Sequence, residues 1–127
     1  MRADSQSHGV MPEEEQIDLA VEVFRMLSDS TRVRLVWSLL DGERSVNELA
    51  DAADKAPAGV SQHLAKLRLA RLVQTRRQAN QVFYRISNSH VAQLVEDAIY
   101  HAEHSAGGIP DHHRTPPEVS ELPRAAT

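Results

Sequence analysis

From Glu13 onward, apolar residues recur at three- and four-residue steps. Ile17, Val21, Phe24 and Leu27 predict an amphipathic helix, and Glu13, Glu14 and Glu15 suit its positive end. Ser28-Asp29-Ser30 interrupts the pattern. Ser30 is placed to cap a second helix carrying Val33, Val36, Trp37 and Leu40, which Asp41-Gly42 ends. A short third helix opens at Ser45 and runs to Ala50, with Ser45 and Glu48 spaced as a capping box. After a turn around Asp54-Lys55, Pro57 occupies the first turn of a fourth helix. There Val60, Leu64 and Leu67 fall on one face, while Ser61, Gln62, His63 and Lys66 fall elsewhere. The period then drops to two. Leu72–Arg77 and Val82–Ile86 read as a hairpin around Gln78-Ala79-Asn80-Gln81, a turn without a strong dipeptide signal. Asn88 or Ser89 begins a last helix to about Ser105, stopped by Gly107-Gly108 and Pro110.

This order predicts a mainly α fold: a winged helix-turn-helix with additional N- and C-terminal helices forming a homodimer interface. Residues 1–12 read as a disordered N-terminal tail and residues 13–106 as the DNA-binding and dimerisation domain. Residues 107–127, with prolines at 110, 116, 117 and 123, read as a flexible His-containing tail. At 127 residues a single core is feasible and dimerisation would help it.

Composition narrows the chemistry. The chain has no cysteine, which excludes disulfides, thiolate nucleophiles and thiolate metal sites. Any metal must be held by nitrogen and oxygen, which argues against arsenic, cadmium, lead and Cu(I). No stretch approaches the roughly 18 apolar residues of a membrane span, and no export leader is evident. A cytoplasmic protein without a membrane partner is expected. The net charge of −4 looks wrong for DNA until it is divided along the chain. Residues 30–86 carry +5, flanked by −5 before and −4 after. Positive charge is thus concentrated where a phosphate backbone would need it.

Within that basic segment, Ser61 and Gln62 can hydrogen-bond base edges, Gln62 best to adenine. Ala58 and Gly59 permit close approach, and Lys66 and Arg68 can reach phosphates. Arg76 and Arg77 suit wing contacts. His63 either touches DNA or hydrogen-bonds locally. Double-stranded operator DNA is the expected partner.

The last helix suggests a metal. At about 100° per residue, His90, Asp97, His101 and His104 share one stripe. Val91, Leu94, Val95, Ala98 and Ala102 form an apolar stripe beside it. His90 and His101 are about 16 Å apart along the axis, too far for metal–nitrogen bonds of about 2 Å. His101 and His104 can share an ion. His90 can join them only from a second, antiparallel copy, which predicts a symmetric homodimer with two equivalent sites. Asp97 reads as a structural hydrogen-bonding group. Glu103 lies off the stripe and needs another partner. Asp111-His112-His113 is available for that, with a solvated polar tail as the alternative, and His8 is a further candidate.

The segments Phe24–Arg32, Ser45–Ala50, Val60–Leu67 and Val82–Arg85 resemble the ArsR/SmtB family of metal-responsive repressors. The last helix and the Gly108–His113 tail are similar to the family's actinobacterial nickel/cobalt sensors. The resemblance implies a dimer that binds a palindromic operator while metal-free, releases it when metal binds, and controls metal-efflux genes. It implies His90, Glu103, His104, His112 and His113 as ligands. His101 instead matches the zinc-sensor pattern Asp-x-His-x10-His-x2-His/Glu, from which this chain departs at Asn88. The cysteine pair found in other members is replaced by Val46-Asn47-Glu48-Leu49.

More than four nitrogen and oxygen donors favour the six-coordinate preference of Ni(II) or Co(II), with Zn(II) as the alternative effector. An enzyme is not expected: no His-Glu-x-x-His run and no pocket for a small organic substrate is legible. A His-rich metal-binding protein without coupling to DNA is the remaining alternative.

Overall fold

The computed structural model describes residues 9–108. His8, Asp111, His112 and His113 lie outside the described residues, as do most of both tails. The elements in chain order are α1 (Glu14–Met26), α2 (Ser30–Ser38), β1 (Arg44–Ser45), α3 (Val46–Ala53), α4 (Pro57–Leu69), β2 (Val73–Gln78), β3 (Gln81–Ile86) and α5 (Ser89–Gly108). Three antiparallel strands form a small sheet in the order β1-β3-β2. Among the described residues, no helix is long and apolar enough to cross a membrane.

The chain divides into two units, residues 1–92 and 93–127. In the first, α2, α3 and α4 pack on one another, and α4 also meets β2. Their shared core is Leu35, Val36 and Leu39 from α2, Leu49, Ala50 and Ala53 from α3, and Val60, Leu64 and Leu67 from α4. Leu72 and Val73 close it from the hairpin. The predicted face of α4 is therefore the buried one. In α2 the expectation needs correction: Leu35, Val36 and Leu39 are inside, whereas Trp37 is exposed and Val33 and Leu40 are only half-buried. The two sets share Val36 and otherwise differ by one or two positions, and a nine-residue helix is too short for periodicity to separate them.

The caps explain the boundaries. Asp29, not Ser30, caps α2, its carboxylate accepting the Arg32 N–H at 3.0 Å. Ser28-Asp29-Ser30 offers three competent caps in a row, so sequence alone could not choose. Ser45 and Glu48 do form the reciprocal box at α3, with bonds of 2.8 and 3.2 Å. Ser45 is also the end of β1, opposite Phe83, a pairing that two residues are too few to announce.

α4 ends in a Schellman motif: Leu72 N–H donates to Leu67 O and Arg71 N–H to Arg68 O. The left-handed position, where glycine is usual, is held by Arg71 at φ 65°. The hairpin turns on Ala79-Asn80, with Ala79 at φ 56°.

α1 buries no residue; Ile17, Val21 and Phe24 are 38%, 45% and 61% exposed. Its amphipathic pattern is real, but among the described residues nothing covers Ile17, Val21 and Phe24. α5 continues past Ser105 to Gly108, so it includes the glycine pair expected to follow it; Pro110 lies outside the described residues.

Candidate functional site

α3 and α4 form the helix-turn-helix, joined by Asp54, which takes the left-handed conformation at φ 57°. With Val60, Leu64 and Leu67 anchored in the core, α4 leaves Ser61, Gln62, Lys66 and Arg68 exposed. No carboxylate interrupts that helix. Ala58 and Gly59 are exposed, and nothing lies within 4 Å of where a Gly59 side chain would begin. The first turn of α4 therefore presents backbone that a duplex can approach closely.

His63 is half-buried and has a local partner: its Nδ1 lies 3.2 Å from Arg32 Nη1. An arginine only donates, so Nδ1 accepts and the ring's proton sits on Nε2. Arg32 also donates through Nε to the Met26 carbonyl at the end of α1, at 2.6 Å. Its backbone N–H is the group that Asp29 caps. That hydrogen bond is the main cause holding the Asp29 carboxyl below its ordinary pKa; partial burial opposes it and the Arg32 charge assists it. Arg32, which sequence reasoning passed over, thus joins α1, α2 and α4.

The two wing arginines differ. Arg76 forms a 2.6 Å ion pair with Glu43, donates to Gln78 Oε1 at 2.7 Å, and lies 5.0 Å from the centre of the Phe83 ring. Arg77 has no side-chain hydrogen bond or ion pair among the described residues, nor do Lys66 and Arg68. Exposed cations without partners are the ones available to phosphates at no internal cost.

On α5, His90, His101, Glu103 and His104 are all exposed. His101 Nε2 lies 3.5 Å from Ser105 Oγ. Asp97 accepts from Gln93 Nε2 at 2.8 Å, in keeping with the structural role expected of it. Asn88 Oδ1 accepts the N–H groups of His90 and Val91 at 2.9 and 3.1 Å. Its oxygen is the helix cap. Among the described residues of one protomer, no three of His, Asp and Glu come together as a group able to hold an ion. His112 and His113 lie outside the described residues.

Residues 29–75 match the family model described as bacterial regulatory protein, arsR family. The chain is 55% identical over 113 residues to the HTH-type transcriptional regulator KmtR of Mycobacterium tuberculosis, covering 89% of this chain and 87% of that protein. The crystal structure of the transcriptional repressor BigR from Xylella fastidiosa is 36% identical, with a TM-score of 0.63 over 70% of this chain and 90% of that one. A homodimeric winged helix-turn-helix DNA-binding domain from Mycobacterium bovis, 26% identical, has a TM-score of 0.65 over 74% of this chain and 90% of that one. The wing, the helix-turn-helix and the polar face of α4 are thus those of a known class of regulators, none of these relatives an enzyme. This chain belongs to the ArsR family of DNA-binding transcription regulators.

Proposed function

We propose that the chain is a metal-sensing transcriptional repressor. As a metal-free cytoplasmic homodimer it binds operator DNA; binding of Ni(II) or Co(II) releases it and derepresses metal-efflux genes. The observation that carries this reading is α5. Four metal-competent side chains, His90, His101, Glu103 and His104, stand exposed on the helix that directly follows a DNA-binding module. Only His101 among them has a side-chain partner among the described residues.

Ser61, Gln62, Lys66, Arg68 and Arg77 contact the operator directly, and Arg76, held by Glu43, contributes little charge to it. His63 acts mainly by holding α4 in place. The open apolar side of α1, with Ile17, Val21 and Phe24 exposed, is the dimer surface; the M. bovis relative is itself homodimeric. His90, Glu103, His104, His112 and His113 hold the ion, with His101 in support. When bound, the ion would cross-link side chains of both subunits. Metal and DNA then oppose each other reciprocally, with a coupling of about 1–3 kcal/mol or more.

Nickel or cobalt is preferred to zinc because the donors exceed four and because the Asn88 oxygen is committed to the α5 cap. Mobility shift of the operator complex across Ni(II), Co(II) and Zn(II) tests the reading. Release by Ni(II) or Co(II) at lower concentration than by Zn(II) is expected. Metal binding without loss of DNA would leave only a His-rich metal-binding protein, and a four-coordinate cobalt spectrum would favour the zinc alternative.

A further inference from the structure

Between the end of α4 and the base of the wing lies a cleft of about 520 Å³, lined by Arg68, Arg71, Val73, Gln74, Thr75, Ser87 and Asn88. Its polar chemistry is one-sided. The Gln74 oxygen already accepts from Arg85 at 2.9 Å, leaving the amide NH₂ as the unused end of that side chain. Asn88 is in the same position, its oxygen taken by two backbone N–H groups. The Ser87 hydroxyl oxygen is shielded from solvent and has no partner, an arrangement that costs free energy unless something fills it. The lining contains two guanidinium groups and no carboxylate. Neither Arg68 nor Arg71 makes a side-chain hydrogen bond or ion pair among the described residues. Donors outnumber the free acceptors in the lining, and no acceptor there carries a charge.

We propose that this cleft binds a phosphate-class oxyanion, with Arg68 and Arg71 supplying charge and Ser87, Thr75, Gln74 and Asn88 supplying neutral donors. Arg71 strengthens the case. It occupies the left-handed position of the Schellman motif, which glycine would fill at lower cost, so a side chain stands where none is needed for the turn. The motif aims the chain around the end of α4 and places that arginine on the cleft wall. Ser87 is tied to the same corner through its N–H, which donates to Leu72 O at 3.0 Å. The backbone that carries Arg71 and Ser87 is therefore fixed beside Leu72, a core residue. The anion can be a free phosphate or a phosphate of the DNA backbone. The chemistry is the same, and the inference is independent of the metal reading.

The test uses the full-length metal-free protein and the variant Arg71→Gly. Arg71→Gly keeps the left-handed backbone while removing the guanidinium, so its melting temperature should be unchanged or higher. Inorganic phosphate and pyrophosphate are titrated at constant ionic strength against chloride, following the backbone N–H signals of Arg71, Ser87 and Asn88. If the anion is free, saturable shifts specific to phosphate appear and weaken about tenfold in Arg71→Gly. If it belongs to DNA, the slope of log affinity against log salt for operator binding falls by about one in Arg71→Gly. Either result supports the site. Shifts no larger with phosphate than with chloride, together with an unchanged salt slope, would overturn it.

Discussion

Arg32 Nη1 and His63 Nδ1 meet at 3.2 Å, across 31 residues of sequence, and so connect the start of α2 to the helix that presents Ser61 and Gln62. The contact gives His63 a role that needs no DNA. Arg32→Ala removes this bond and the one to Met26 O, leaving a partly buried ring and a helix end without their donor. A loss of about 1–3 kcal/mol in stability is expected. Operator affinity should fall several-fold with an unchanged salt slope, because no phosphate contact is lost. His63→Ala should act in the same way, and the double variant should cost less than the two singles combined. A reduced salt slope in Arg32→Ala would show instead that the guanidinium reaches DNA.

The Asp29 cap predicts an acid-dependent term. Its carboxyl is held below its ordinary pKa when folded, so its contribution is complete above the unfolded value and disappears as pH falls through the folded one. Asp29→Ala should cost about 1 kcal/mol at neutral pH. Asp29→Asn retains a capping oxygen but cannot titrate. Melting curves of wild type and Asp29→Asn should therefore converge as pH drops below the usual carboxylate range.

In the wing, Arg77→Ala should lower the salt slope of operator binding by about one, whereas Arg76→Ala should change it little. Arg76 spends its charge on Glu43. That exposed pair is worth at most about 1 kcal/mol to stability. Glu43→Gln releases the cation, and operator binding at low salt should tighten. Equal effects of the two arginine variants would mean that Arg76 leaves Glu43 freely when DNA arrives.

How legible these arrangements were depended on the range of the interaction. The α4 register, the Ser45–Glu48 box and the opening Pro57 are local, and periodicity or spacing announced each of them. Arg76–Glu43 and Arg32–His63 join residues more than thirty apart, and no local pattern encodes them. β1 was missed because a two-residue strand has no period to detect. α5 reaches Gly108, a few residues past the end expected near Ser105, because glycine costs only about 1 kcal/mol in a helix and can be outweighed. The histidines of α5 were plain as residue types and spacings, but among the described residues of one protomer no three of His, Asp and Glu come together as a group able to hold an ion.

The exposed side of α1 makes a dimer prediction. Phe24 is large, apolar and 61% exposed, and Leu19 and Val21 lie near it in sequence. Phe24→Glu would place a charge in an interface that excludes water. Analytical ultracentrifugation should find a weakened or lost dimer while the helical spectrum of the protomer stays intact, since α1 contributes nothing to the buried core. Operator affinity should fall with it, because two half-sites are read together. A variant still dimeric at micromolar concentration would place the interface elsewhere.

The Asn88 cap suggests how metal choice is set. Aspartate and asparagine cap helices about equally well, so Asn88→Asp should leave the melting temperature and metal-free operator binding nearly unchanged. It would add an anionic oxygen beyond the one used by the His90 and Val91 N–H groups. Carboxylate is a better ligand than a neutral amide, and with His90, His101 and His104 it completes a four-donor set suited to zinc. Operator release in Asn88→Asp should therefore occur at lower Zn(II) concentration than in wild type, with a smaller preference for Ni(II) and Co(II). His104→Ala is the control: it should lose release by every metal while keeping metal-free binding. If Asn88→Asp responds to the three ions as wild type does, residue 88 lies outside the site and selectivity must come from Glu103 and the tail histidines.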